Sequence, residues 1–333
     1  MAGQLWAVNS LGGFYYSLNL SKDLRDGVKA TSKFRQFADI RDAWGKVTRS
    51  GQTFTWDTIP MMSRASRALT ETNTIPQGAH TILQGTLTMN ERGFAVPYTE
   101  LLDNLSAFSV RQPIMDVLKY DARVDLDCLA WQQFNATPLR AAATATGDPI
   151  TLVTTGTCTT TNSAGISTTN IKSIVDTMKS RNIPTYRGDD YYAIGRPKGM
   201  RVFKNALETL HQYTESGMTM IMNGEIGRYE NCRFVEQTTV PAGGAGPSPA
   251  TFDPFTDTAQ VWTNSTATEA GDWMFFFGKD TLCEAIHTAE EIRSKVADDY
   301  GRSRGIAWYA LLGYGLCHTN ATQARVVKWD SAV

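Results

Sequence analysis

The sequence has no run of about twenty mostly apolar residues, the length that a helix needs to cross a membrane. It also lacks a dominant charge: 32 Lys and Arg stand against 33 Asp and Glu, for a net charge of −1 and a pI near 6.4. No global field therefore draws the chain to a polyanion. Histidine is scarce, and His80, His211, His287 and His318 are too scattered to supply a metal-ligand spacing. The cysteines, at 128, 158, 232, 283 and 317, form neither a zinc pattern nor a redox pair. Their odd number fits unpaired thiols in a reducing cytoplasm, where each acts as a small buried hydrophobe. The first residues, MAGQLWAVNSLGG, hold no basic segment followed by an apolar run, so no secretory signal is expected. Walker, dinucleotide-binding, zinc-protease and EF-hand patterns are missing as well, and neither cofactor nor metal is expected.

One catalytic pattern does occur. Gly301, Ser303 and Gly305 match the G-x-S-x-G nucleophile elbow. The elbow requires a strand before the serine and a helix directly after it. Here the serine is followed by Ile306, Ala307, Trp308 and Tyr309, which predict a strand, and two arginines flank it. A serine hydrolase built on Ser303 is thus a distant alternative, and the plainer reading is a hairpin tip.

What is present is ordinary globular material: 42% hydrophobic and 20% charged residues over 333 positions, enough for one large core or a few smaller ones. The longest amphipathic stretch lies at 98–136. Leu101, Leu105 and Phe108 recur at helical spacing, and Met115, Leu118, Ala122, Leu126 and Leu129 continue the stripe. Pro113 breaks the stretch, which predicts a short helix over about 99–108 and a long one over about 110–134. The proline then occupies the first turn of the second helix, where its missing N–H costs little. At about 1.5 Å per residue the long helix spans on the order of 35 Å and forms a spine.

Around the spine the chain is uneven. Residues 1–50 read as an arm, with eight basic residues against four aspartates between 21 and 50 and a thin helical stripe of Leu24, Val28, Phe34, Phe37, Ile40 and Trp44 broken by Gly27 and Gly45. The arm either lies on a partner or a polyanion or packs as a solvated helix on its own domain. Two β-prone runs, at 53–58 and 81–89, predict a long two-stranded excursion with an irregular tip, which must rest on something else to be stable. After the spine comes a Thr-, Ala- and Gly-rich stretch with one or two edge strands. Helices around 171–178 and 202–210 then alternate with strands at 191–194 and 232–236, the pattern of a compact α/β unit. The Gly- and Pro-rich loop at 241–271 is followed by a strand at 272–277 and a short helix through Cys283, Ala285 and Ile286. Strands at 291–296, 306–312 and 325–329 close the chain, with a turn at 298–305.

The order of these parts resembles the major capsid protein of tailed double-stranded DNA bacteriophages, the Hong Kong phage capsid fold, and within it the N4-like branch. The residues that carry the resemblance are NGEIGRYENCRFVE at 223–236, FGKD at 277–280, DYGR at 299–302 and GIAWY at 305–309. The resemblance implies an α+β fold with an N-terminal arm (1–50), an extended loop (51–97) and a peripheral domain holding the spine helix (98–170). An axial domain (171–287) and C-terminal strands returning to the peripheral domain (288–333) complete it. It implies a structural protein and no enzyme. Copies would form hexamers and pentamers, assembled in the host cytoplasm into a virion capsid around packaged double-stranded DNA that is touched without sequence preference. A cellular encapsulin-type nanocompartment shell is the alternative within the same fold. One departure is informative: no lysine stands between Lys46 and Lys119, so the lysine cross-link that welds some shells of this kind cannot start from this loop. A non-covalent shell is expected, served by a separate scaffolding protein, a portal and a cement or decoration protein. Arg64 and Arg67 in the loop, with Asp299, Arg302 and Arg304 at the turn, are the candidate intersubunit contacts.

Overall fold

The spine is helix α2 (Arg111–Asn135), preceded by the short α1 (Glu100–Leu105). In the computed structural model, residues 33–42, 53–60, 68–71, 74–106, 109–143, 147–156, 165–197, 199–211, 228–237, 271–296 and 298–332 are described. Helix α2 starts from Val110, so Pro113 sits in its first turn as its missing donor requires. Ile114, Leu118, Ala122, Leu126, Trp131 and Phe134 form its buried stripe. In α1 the stripe is one residue off the expected one. Thr99 caps the helix by accepting from the Leu102 N–H (3.3 Å), and Leu102 is buried while Leu101 and Leu105 face solvent. Phe108 lies outside the described residues.

Two sheets flank the spine. The first holds four strands in the order β1 (Ala38–Asp42), β11 (Leu282–Ser294), β12 (Ser303–Leu316), β4 (Asn90–Thr99). Successive side chains of β12 alternate between its faces. Ile306, Trp308, Ala310, Leu312, Tyr314 and Leu316 join the core around α2, and the Trp308 indole donates to Asp121 Oδ2 (2.7 Å). The expected short helix through Cys283, Ala285 and Ile286 is instead the beginning of β11. Its first residues, Leu282, Cys283, Glu284 and Ala285, are buried on both faces, so the alternation that marks a strand is missing from the sequence there. The expected strand at 291–296 is the far end of the same β11. Strand β4 was hidden for the opposite reason: NERGFAVPYT is a mostly exposed edge strand with a polar start and a proline.

The second sheet holds seven strands in the order β6 (Thr151–Val153), β5 (Leu139–Ala142), β13 (Val326–Ala332), β10 (Gly271–Phe277), β7 (Tyr191–Gly195), β9 (Cys232–Glu236), β8 (Arg228–Tyr229). Strand β10 explains the apolar run in DWMFFF. Trp273, Phe275 and Phe277 face the core around α2, whereas Met274 and Phe276 face helices α3 (Thr168–Ser180) and α4 (Arg201–His211). Helix α3 buries Ile171, Ile174, Val175 and Met178 as its spacing predicts, and a reciprocal capping box between Ser167 and Asn170 starts it. At the β8–β9 edge, Glu230 and Asn231 adopt left-handed conformations (φ 48° and 58°), the two-residue turn that matches strand twist. The chain joins this sheet from Leu139 onward, within the stretch grouped by sequence with the spine. The last strand, β13, lies between β5 and β10 here, whereas β11 and β12 lie in the four-stranded sheet.

A short strap ties the layers together. Phe34 is wedged against Phe134 of α2 and Phe275 of β10, and Phe37 against Tyr186, Tyr192 and Phe277. The Arg35 guanidinium reaches Glu284 Oε1 (2.9 Å) and Glu290 Oε1 (2.7 Å), and its backbone N–H donates to Asp127 Oδ1 (3.1 Å). Glu284, 0% exposed, also accepts from the Tyr314 hydroxyl at 2.9 Å. Strand β1 then continues the strap in parallel to β11, so Ile40 lies exposed on a strand and not on the helical stripe expected there, because pairing with the distant β11 decides the backbone.

Candidate intersubunit surfaces

The extended loop is built on a root and projects from it. Strands β2 (Thr53–Thr58) and β3 (Leu83–Thr88) pair antiparallel, as the two β-prone runs predict. Phe54 and Leu87, with Met89 just beyond, pack on Cys283 and Ala285, on the face of the four-stranded sheet turned away from α2. Two glycines permit this approach. A Cβ on Gly313 would stand 2.4 Å from the Thr88 carbonyl oxygen, and one on Gly315 would stand 2.9 Å from Leu87 Cβ. The Trp56 indole donates to the Cys317 carbonyl (3.0 Å) and fixes the hairpin's angle. Cys283 and Cys317, far apart in sequence, meet under this root in a thiol hydrogen bond that, with burial, pushes the Cys317 pKa up. Beyond the root, Ile59, Leu69, Ile75 and Ile82 are all exposed. Aliphatic side chains spaced along a projecting hairpin suit contact with another surface. Arg64 and Arg67 lie outside the described residues, as do 223–227 and 241–270 of the motifs and loop read from sequence.

The second projection is the turn between β11 and β12. Asp299 and Arg302 are both exposed and lie 3.7 Å apart, an i,i+3 pair in water that contributes little to folding. Arg304 behaves differently. Its guanidinium binds Glu100 Oε1 (2.7 Å) and Asp103 Oδ2 (3.3 Å), which holds the start of β12 on α1. Two of the three turn residues are thus available to a partner, and the third is engaged within its own chain. Ser303 opens strand β12, so the strand–turn–helix geometry of a nucleophile elbow is replaced by an antiparallel hairpin; its Oγ accepts from Lys295 Nζ (2.8 Å). His318 lies beyond the opposite end of the same strand. Burial, with Arg325 beside it, lowers the His318 pKa to about 4. Among the described residues, no group of His, Cys, Asp and Glu could hold a metal ion.

Both surfaces depend on features that local sequence patterns miss. The two glycines lie inside a strong strand pattern, where a glycine signals close backbone approach. The turn's availability is visible only once Arg304 is seen to be engaged elsewhere.

No protein-family model and no curated protein sequence matches the chain. Solved structures do. The capsid structure of the cyanophage P-SCSP1u superposes with a TM-score of 0.67 at 11% identity, over 95% of this chain and 93% of that one. The acidic stable capsid structure of the Helicobacter pylori bacteriophage KHP30 gives 0.67 at 12% identity over 96% of both chains. The capsid of Ralstonia phage GP4 gives 0.62 at 11% identity over 100% of this chain and 98% of that one. With so few identical residues the likeness is one of fold, and it runs from end to end: the chain has the mixed α+β fold of the tailed-phage capsid proteins.

Proposed function

We propose that the chain is a capsid-forming structural protein whose copies assemble as hexamers and pentamers into an icosahedral shell around packaged double-stranded DNA. The observation that carries this reading is the capsid fold matched over about 95% of the chain, together with two projections that carry exposed apolar and charged groups. Shell assembly needs large complementary contacts between copies, and projecting hairpins supply area without enlarging the core. On this reading the four-stranded sheet with α2 is the peripheral domain, the seven-stranded sheet with α3 and α4 is the axial domain, and the β2–β3 hairpin is the extended loop. Asp299 and Arg302 are contact residues, as are Arg64 and Arg67. The N4-like branch, assembly in the host cytoplasm, and service by a separate scaffold, portal and cement protein complete the proposal. Contact with DNA is non-specific and weakened by salt, as suits a near-neutral chain.

Negative-stain microscopy of the expressed chain, alone and with its neighbouring gene products, tests the proposal. Closed shells are expected, and a persistent monomer in every combination would sink it. Nucleic acid inside the particles separates a virion shell from a nanocompartment, which would hold a cargo protein. Boiled, denatured particles should run as monomers on a gel, because the loop has no lysine between Lys46 and Lys119 from which a cross-link could start. Covalent ladders would overturn the non-covalent shell.

A further inference from the structure

The turn at 298–303 is built against local preference, and Tyr300 is the residue that makes it so. Asp299, Tyr300 and Gly301 all lie in the left-handed region, with φ of 50°, 53° and 93°. Glycine is at home there, and aspartate is tolerated. A bulky tyrosine is a genuine outlier. Such a conformation persists only where its surroundings over-determine it. Here they do. The backbones of Asp298 and Ser303 exchange hydrogen bonds of 3.3 and 3.1 Å, the Gly301 N–H donates to Asp298 O (3.2 Å), and the Arg302 N–H donates to Asp299 O (3.0 Å). The Asp298 carboxylate adds a bond from the Asp299 N–H at 2.8 Å.

The side chain held in this rigid frame contributes nothing to its own fold. Tyr300 is 105% exposed, and Val296, before the turn, is 88% exposed. Residues on either side carry opposite charges that are nearly free, since Asp299 and Arg302 are exposed and only loosely paired. An aromatic knob flanked by one acid and one base is complementary to a second copy of itself: the Asp299 of one copy can meet the Arg302 of the next while the tyrosines pack between them.

We infer that Tyr300 is an intersubunit contact residue, the knob of a tip-to-tip contact between copies of this chain. The inference rests on the shell reading and adds to it the residue and the self-complementary partner. Aromatic side chains of this kind are the usual anchors of interfaces, because they bring large area at low entropic cost.

Two variants of the full chain test it. Tyr300→Gly relieves the backbone and removes the knob, so the unassembled subunit should melt at the same temperature as wild type or higher. Its critical concentration for assembly should rise about tenfold, the effect of losing one interface anchor. In particles of the Tyr300→Cys variant, mild oxidation should give a covalent dimer on a non-reducing gel that wild-type particles do not give. Wild-type particles combined with normal assembly of Tyr300→Gly and no dimer from Tyr300→Cys would overturn the inference and leave the shell reading standing. A wild-type chain that forms no particles would remove both. A lower melting temperature for Tyr300→Gly would assign the residue a folding role and likewise overturn it.

Discussion

The strap at 33–42 and the turn at 298–303 are both short, charged and built around arginine, yet they are used in opposite ways. In the strap, Arg35 meets Glu284, which is completely buried and also held by Tyr314. In the turn, Arg302 meets an exposed Asp299 at 3.7 Å. The residue types are alike and the surroundings are not. A buried carboxylate stripped of its cation costs several kcal/mol, because nothing in the core replaces the lost solvation. An exposed ion pair exchanges its partner for water at almost no cost. Charge inside this molecule therefore locks its layers together, and charge at its tip stays in solvent.

The strap side of this contrast should give the largest effect. Arg35→Met should destabilise the subunit by about 3–5 kcal/mol, the usual cost of stranding a buried charge, measured by denaturant unfolding. The double variant Arg35→Met with Glu284→Met should recover much of that loss. If the single variant melts like wild type, the lock is no lock. Phe34→Ala should cost a similar amount, about 3–5 kcal/mol, because Phe34 fills the space between Phe134 and Phe275.

An intermediate effect is expected where the loop root meets the sheet. Gly313→Ala would drive a methyl group against the Thr88 carbonyl, so a loss of about 1–3 kcal/mol is expected together with faster proteolysis of the loop. Unchanged proteolysis would show that the root does not set the loop's position.

Acid should act through His318 and Glu290. Burial, with Arg325 beside it, lowers the His318 pKa to about 4 in the folded chain, so the unfolded chain binds the proton first. The contribution of neutral His318 is therefore present above the ordinary histidine pKa, near 6.5, and is lost as pH falls from there toward 4. The melting temperature of His318→Gln should drop less than that of wild type between pH 7 and pH 4.5. Glu290 acts further down the scale, because Arg35 holds its carboxyl below the usual glutamate range. Its share is present above the unfolded glutamate pKa and disappears as pH falls through the lower folded value.

The smallest effect belongs to the turn. Asp299→Ala should change subunit stability by no more than about 0.5 kcal/mol while weakening assembly. A large loss of subunit stability would erase the contrast between turn and strap.

Much of the candidate surface was legible before the fold was known. The turn at 298–305 followed from its acid and glycine content, and the two-stranded loop from its alternating Thr, Phe and Trp. Arg304 looked like a surface residue because its partners, Glu100 and Asp103, lie some two hundred positions away. Tyr300 stands inside the 299–302 motif, but nothing in the sequence signals its conformation, since a left-handed conformation at a tyrosine is set by the frame around it. The small hydrophobic reading of the cysteines fits Cys128, Cys232 and Cys283, which are buried, while the pairing of Cys283 with Cys317 required the register of β11 against β12.

By itself the sequence determined what depends on neighbours within a few positions. The spine helix with Pro113 in its first turn, the stripe of α3 and the strand after Ser303 are of this kind, because a strand repeats every two residues and a helix every three or four. Only the tertiary structure decided what depends on distant partners. Arg35 and Glu284 are separated by 249 positions, and their meeting ties the segment at 33–42 of the expected arm to the core. The same holds for β11, whose first residues are covered on both faces, and for β13, which closes the gap between β5 and β10. Their surroundings come from segments that no local pattern connects.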